Sequence, residues 1–131
     1  MNTRNILTVM GAIMGLQGVM IFAGAEQITT EAFAALSPDE TGIQIGAMLH
    51  EAMAVMCLMV AVILLSSRNL EPAAGAKVLM GASIGIGISA AHGFYNMFTT
   101  VVAPPLPILL IMTALVVLGV VTAMKAGDAE G

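Results

Sequence analysis

The chain has 131 residues, 59% hydrophobic and 9% charged, with a formal net charge of -4. Soluble domains carry about a quarter charged residues, so this composition excludes an ordinary water-soluble core and points to a membrane. Four Lys and Arg are too few to hold an anionic polymer, which excludes a nucleic-acid partner.

Crossing the hydrocarbon takes about 20 predominantly apolar residues as a helix. Residues 5–25 carry no charge and supply a first span. Arg4, the apolar run and "AGA" at Ala23 to Ala25 also fit a secretory signal with a small-residue cleavage site. The run is long for a signal core and contains Gln17, so retention as a span is the expectation. Residues 26–41 form a polar connection. Within it "ITTEAFAAL" reads as a short amphipathic surface turn with Ile28, Phe33 and Leu36 as apolar contacts. "SPDE" then reads as a helix start, with Ser37 as N-cap, Pro38 at the first helical position and Glu40 closing a capping box.

The second span covers residues 42–67, where the only charge is Glu51. In its apolar middle lies Cys57, the single cysteine, which has no internal disulfide partner and reads as a small hydrophobe. "RNLEPAAGAK" is a polar turn, with Pro72 suited to opening the next helix. Residues 78–124 carry no charge and are too long for one crossing. "APPLP", Ala103 to Pro107, breaks the stretch, because proline removes backbone donors. The result is a third span over residues 76–98 and a fourth over residues 106–124. The expected fold is all-α: residues 1–131 as one integral membrane four-helix bundle.

Four crossings put Arg4, Arg68, Lys77 and Lys125 on one side, and Glu26, Glu31, Asp39 and Glu40 on the other. The positive-inside rule then places both the N and C termini in the cytoplasm, in a cytoplasmic (inner) membrane of bacterial type. Small residues recur every fourth position at Gly11 and Gly15, at Gly42 and Gly46, and along Gly81, Gly85, Ser89 and Gly93. In lipid, close backbone approach through small residues holds helices together, so the third span is expected to be the most tightly packed.

Polar residues gather toward the outer face. At 1.5 Å per residue, His50 lies about 10 to 12 Å deep, His92 about 9 Å and Gln17 about 12 Å, with Tyr95 and Asn96 just above His92. Gln17, His50, Glu51, His92, Tyr95 and Asn96 thus form one expected polar layer. Ionisable groups at such depth face the bundle or a water-filled cavity and pair with one another. The bland reading is a hydrogen-bonded cluster that fixes helix register. A second is a haem b site with His50 and His92 as axial ligands, or a quinone-linked electron or proton carrier using the same pair. A third is a metal site of His50, Glu51 and His92. Methionine is abundant at 12 residues, with Met53, Met56 and Met59 in step and Met97 near His92. Thioethers suit Cu(I), so an oligomeric ion or copper transporter belongs among the readings. Methionine is also an adaptable apolar filler.

The layout resembles the small bacterial DoxX-like four-helix membrane proteins. The likeness rests on the glycine-bearing first span "GAIMGLQG", the outer segment "EAFAALSP", a glycine-opened second span ending in "SSR", and a final pair split by a proline-rich turn. It implies a compact membrane bundle, in a family with some redox- or quinone-linked members, and carries over no catalytic residue. The sequence holds no nucleotide loop and no recognisable nucleophile–base pair, which points away from an ordinary enzyme. The favoured role is therefore an accessory or structural subunit, embedded in the lipid bilayer and packing against itself as a homo-oligomer or against a larger membrane complex.

Overall fold

The computed structural model describes residues 2–102 and 104–128. It is helical: α1 (Thr3–Ala23), α2 (Ala25–Ala32), a 3-10 turn (Ala34–Leu36), α3 (Glu40–Ser67), α4 (Pro72–Thr99) and α5 (Leu106–Asp128). α1, α3, α4 and α5 are each long and apolar enough to cross a membrane. Large apolar side chains face outward on all four, Leu16, Met56, Ile88 and Val117 among them. That is the surface of a multi-pass membrane protein, since water would not tolerate so much exposed hydrocarbon.

Local chemistry sets the helix ends. Asn2 caps α1, its side-chain oxygen accepting from the Arg4 N–H at 2.8 Å. Pro72 opens α4, as its sequence position predicts. The start of α3 differs from expectation: Asp39 is the N-cap, accepting from the Gly42 N–H at 2.8 Å. Ser37 instead closes the 3-10 turn in the left-handed region, with φ of 47°. A carboxylate one residue after Pro38 reaches the open amides from extended backbone, and the serine is spent on the preceding turn. α4 and α5 are parted at Pro104 and Pro105, as expected. Ala103, the first residue of that turn, lies outside the described residues.

α1 and α3 run antiparallel. Gly11 faces Leu65 and Ala61, Gly15 faces Ala61, and Gly18 faces Leu58 and Ala54. A Cβ on Gly18 would lie 2.8 Å from Leu58 Cγ and 3.0 Å from the Ala54 carbonyl oxygen. Only glycine allows that approach. α4 and α5 form the second antiparallel pair: Gly119 lies against Ser83, Gly87 against Val116, and Gly93 against Leu109 and Pro104.

The pairs join through the first half of α1, where Thr3 and Leu7 meet Gly75 of α4 and Met10 meets Gly119 of α5. Ile6, Leu7, Met10, Leu64 and Leu79 are buried there and form the centre of the core. α1 and α4 each touch all three other spans, and α1 is the more buried of the two; the sequence expectation had made α4 the most tightly packed. The up-down-up-down course brings Arg4, Arg68, Lys77 and Lys125 to the end of the bundle where α1 begins and α5 finishes.

We predict that Gly18→Ala lowers stability by about 1 to 3 kcal/mol, because a backbone carbonyl cannot yield to the added methyl. Gly15→Ala meets only Ala61 Cβ at an ordinary 3.5 Å and is expected to be neutral or stabilising. Thermal unfolding of both variants in detergent micelles checks the difference.

Candidate functional site

Gly24 ends α1, its N–H bonded to the Met20 carbonyl, and the chain turns directly into α2. One face of this two-turn helix carries Ala25 and Thr29, both buried, with Thr29 only 1% exposed. That face lies on the first half of α3. Gly46 has no side chain, and any Cβ there would run into the Thr29 methyl group. One turn further along α3 is His50. The same stripe continues to Ala54 and Leu58, which meet Gly18 of α1. His50 thus sits where the contacts of α3 pass from α1 to α2.

Its hydrogen bonds fix the ring. The Thr29 hydroxyl donates to the Ala25 carbonyl at 2.8 Å, so its oxygen accepts from His50 Nδ1 at 2.9 Å. The Gly46 carbonyl, also 2.9 Å from Nδ1, can only accept. Both partners require the proton on Nδ1, whose N–H is shared between them. In the neutral ring Nε2 then carries the lone pair, a single basic nitrogen able to accept a hydrogen bond or a proton.

His92 belongs to a different group. It is exposed on α4, and the Asn96 amide donates to its Nε2 at 3.2 Å. The Tyr95 ring lies alongside, with centroids 6.5 Å apart and planes 24° from parallel. Glu51 is exposed and lines an open groove with Glu26 and Glu40, over Ile43, Ala47 and Met48. Gln17 is half-buried beside Gly18. The structure therefore brings His50 together with Thr29 and Gly46, and His92 with Asn96 and Tyr95. Among the described residues, no three His, Cys, Asp or Glu side chains stand close enough to hold a metal ion. Cys57 is buried in the core.

Thr29 is the site residue that sequence reasoning passed over. Ile28 and Phe33, the expected contacts of the outer segment, are half-buried and Leu36 is exposed, whereas Thr29 is buried. The available signal was Gly46, a notch one turn from a histidine that needed a partner at its own depth.

The small-residue positions separate in the same way. Gly11, Gly15, Gly46 and Gly93 are packed within the chain. Among the described residues, Gly81 and Gly85 have nothing within 4 Å of a would-be Cβ, and Ser89 is exposed.

No family model, no curated protein and no solved structure matches the chain.

Two substitutions isolate the α2–α3 contact. Thr29→Val keeps the shape and deletes one of the two acceptors of the His50 N–H, for an expected loss of about 0.5 to 1.5 kcal/mol. Gly46→Ala should lift α2 off α3, seen as faster amide exchange across residues 25–32. Adding Thr29→Ser, which removes the colliding methyl and keeps the hydroxyl, should restore protection.

Proposed function

We propose that this chain is a small non-enzymatic subunit of a bacterial-type cytoplasmic membrane. Both ends lie in the cytoplasm, and the chain assembles with copies of itself or with a larger membrane complex. The observation that carries this reading is the uncovered face of α4. Glycine in a helix interior costs up to about 1 kcal/mol relative to alanine. At Gly81 and Gly85 the chain's own packing returns nothing for that cost, because no atom of another element approaches. A face of small residues toward lipid is what a helix presents when another helix is to lie close against it.

The distribution of charge supports the orientation. The bundle end where α1 begins and α5 finishes holds Arg4, Arg68, Lys77 and Lys125, and the far end holds Glu26, Glu31, Asp39 and Glu40. The DoxX-like likeness belongs to the same proposal, supported by the glycine-bearing first span and the proline-split final pair.

Native electrophoresis of gently solubilised membranes tests the assembly. The chain should migrate well above its own 13.4 kDa plus detergent, and a uniform monomer would refute the subunit role. For the orientation, single cysteines replace Gln27 or Asn69 in a Cys57→Ala background. An impermeant maleimide applied to intact cells should label Gln27→Cys and leave Asn69→Cys unlabelled until the cells are opened. The reverse pattern overturns the assignment.

A further inference from the structure

We propose that the end of the bundle opposite Arg4 and Lys125 is a lipid-recognition rim, which takes the ammonium headgroup of a zwitterionic phospholipid such as phosphatidylethanolamine. The inference needs only that the chain spans a bilayer, so it stands apart from the subunit reading.

The chain holds four phenylalanines, one tyrosine and no tryptophan. All five rings gather toward one end of the bundle: Phe22 in the last turn of α1, Phe33 just after α2, and Phe94, Tyr95 and Phe98 in the last turns of α4. Residues 1–21, 34–93 and 99–131 contain none. At 1.5 Å per residue, Phe22, Tyr95 and Phe98 stand within about 6 Å of the ends of their helices. Phe22 is 53%, Tyr95 62% and Phe98 81% exposed, so packing inside the bundle does not explain them. Aromatic side chains collect at that depth because the ring sits well between acyl chain and headgroup. The opposite end has another anchor: Arg4, Arg68, Lys77 and Lys125 reach phosphates there on long apolar stems.

Charge decides which headgroup the aromatic rim suits. Glu26, Glu31, Asp39 and Glu40 share this end and are all exposed. No Lys or Arg lies between Arg4 and Arg68 or between Lys77 and Lys125, so the rim has no base of its own. An anionic lipid brings a phosphate that these carboxylates repel, and no cation for them to attract. A zwitterionic lipid carries no net charge and presents its ammonium group outermost, where the carboxylates attract it. The same ammonium group is attracted to the face of an aromatic ring. Tyr95 has the His92 ring alongside, with centroids 6.5 Å apart, and its 62% exposure leaves ring surface open to a cation. Rings and carboxylates, two independent features of the sequence, thus agree on one kind of partner.

Tyr95 is its own reporter, because the chain has no other tyrosine and no tryptophan. The full chain is reconstituted in vesicles of equal parts phosphatidylethanolamine and phosphatidylglycerol with matched acyl chains. Bromines near the carbonyl end of those chains are carried by one lipid or by the other. Brominated phosphatidylethanolamine should quench the tyrosine fluorescence more strongly. The difference should correspond to a preference of about two- to fivefold for the lipid beside Tyr95, the factor that one exposed cation–π contact is worth. Glu26→Gln combined with Glu40→Gln should bring that preference toward parity. Phe98→Leu, at a ring 81% exposed, should weaken it with helical content unchanged. Equal quenching by the two lipids, or stronger quenching by brominated phosphatidylglycerol, overturns the proposal. So does a preference that survives both sets of substitutions. Each of these results leaves the subunit reading in place, since native electrophoresis tests that separately.

Discussion

Close approach of α1 to α3 through Gly11, Gly15 and Gly18 is the contact on which the rest of the bundle depends. Apolar side chains gain little by leaving lipid for one another, so attraction between spans has to come from many short contacts made at once. The three glycines supply these by admitting Leu58, Ala61 and Leu65 onto the backbone of α1. Drawn in on that side, α1 presents Thr3, Leu7 and Met10 on its other edge, where Gly75 and Gly119 receive them. One helix thus serves both pairs, and the buried core collects around its first half.

The half of the bundle beyond Met14 follows from the same arrangement. Past Met14, α1 stays with α3 and then hands that helix over to α2, while α4 and α5 continue together through Gly93, Leu109 and Pro104. α3 and α4 meet little along their lengths. His50 and His92 are borne by these two helices, and each has found its partners within its own pair.

Much of the architecture was legible in the sequence because hydrocarbon thickness is so strong a constraint. Charge-free runs, the Pro104–Pro105 break and Pro72 mark the four long helices to within a few residues, although α4 starts one turn earlier than the apolar run alone indicated. Facing was not legible. A four-residue step puts Gly81, Gly85 and Ser89 on one stripe without saying whether that stripe looks inward, and residue for residue it resembles the stripes of α1 that do. The choice is made by which helix pairs form first contacts across the whole bundle. Thr29 escaped notice for a related reason: in a short polar connection, hydroxyls are ordinary, and only the position of Gly46 on another helix makes this one special.

The two histidines show how the bilayer sorts polar groups by what surrounds them. His50 has its Nδ1–H divided between two acceptors supplied by its own chain, one of them a backbone carbonyl that the bare Gly46 leaves reachable. Its stripe on α3 is consumed by internal packing. His92 has a side chain from its own helix on one nitrogen and stands among exposed residues. The next residue, Gly93, is filled by Leu109 of α5, while Gly85, two turns earlier, is open. The contrast lies in the partners: His50 draws on another helix, α2, through Thr29, whereas His92 draws only on its own helix through Asn96. On α4 the exposed stripe of Gly81, Gly85 and Ser89 and the exposed His92 share one side of the helix, turned away from the neighbour that fills Gly93.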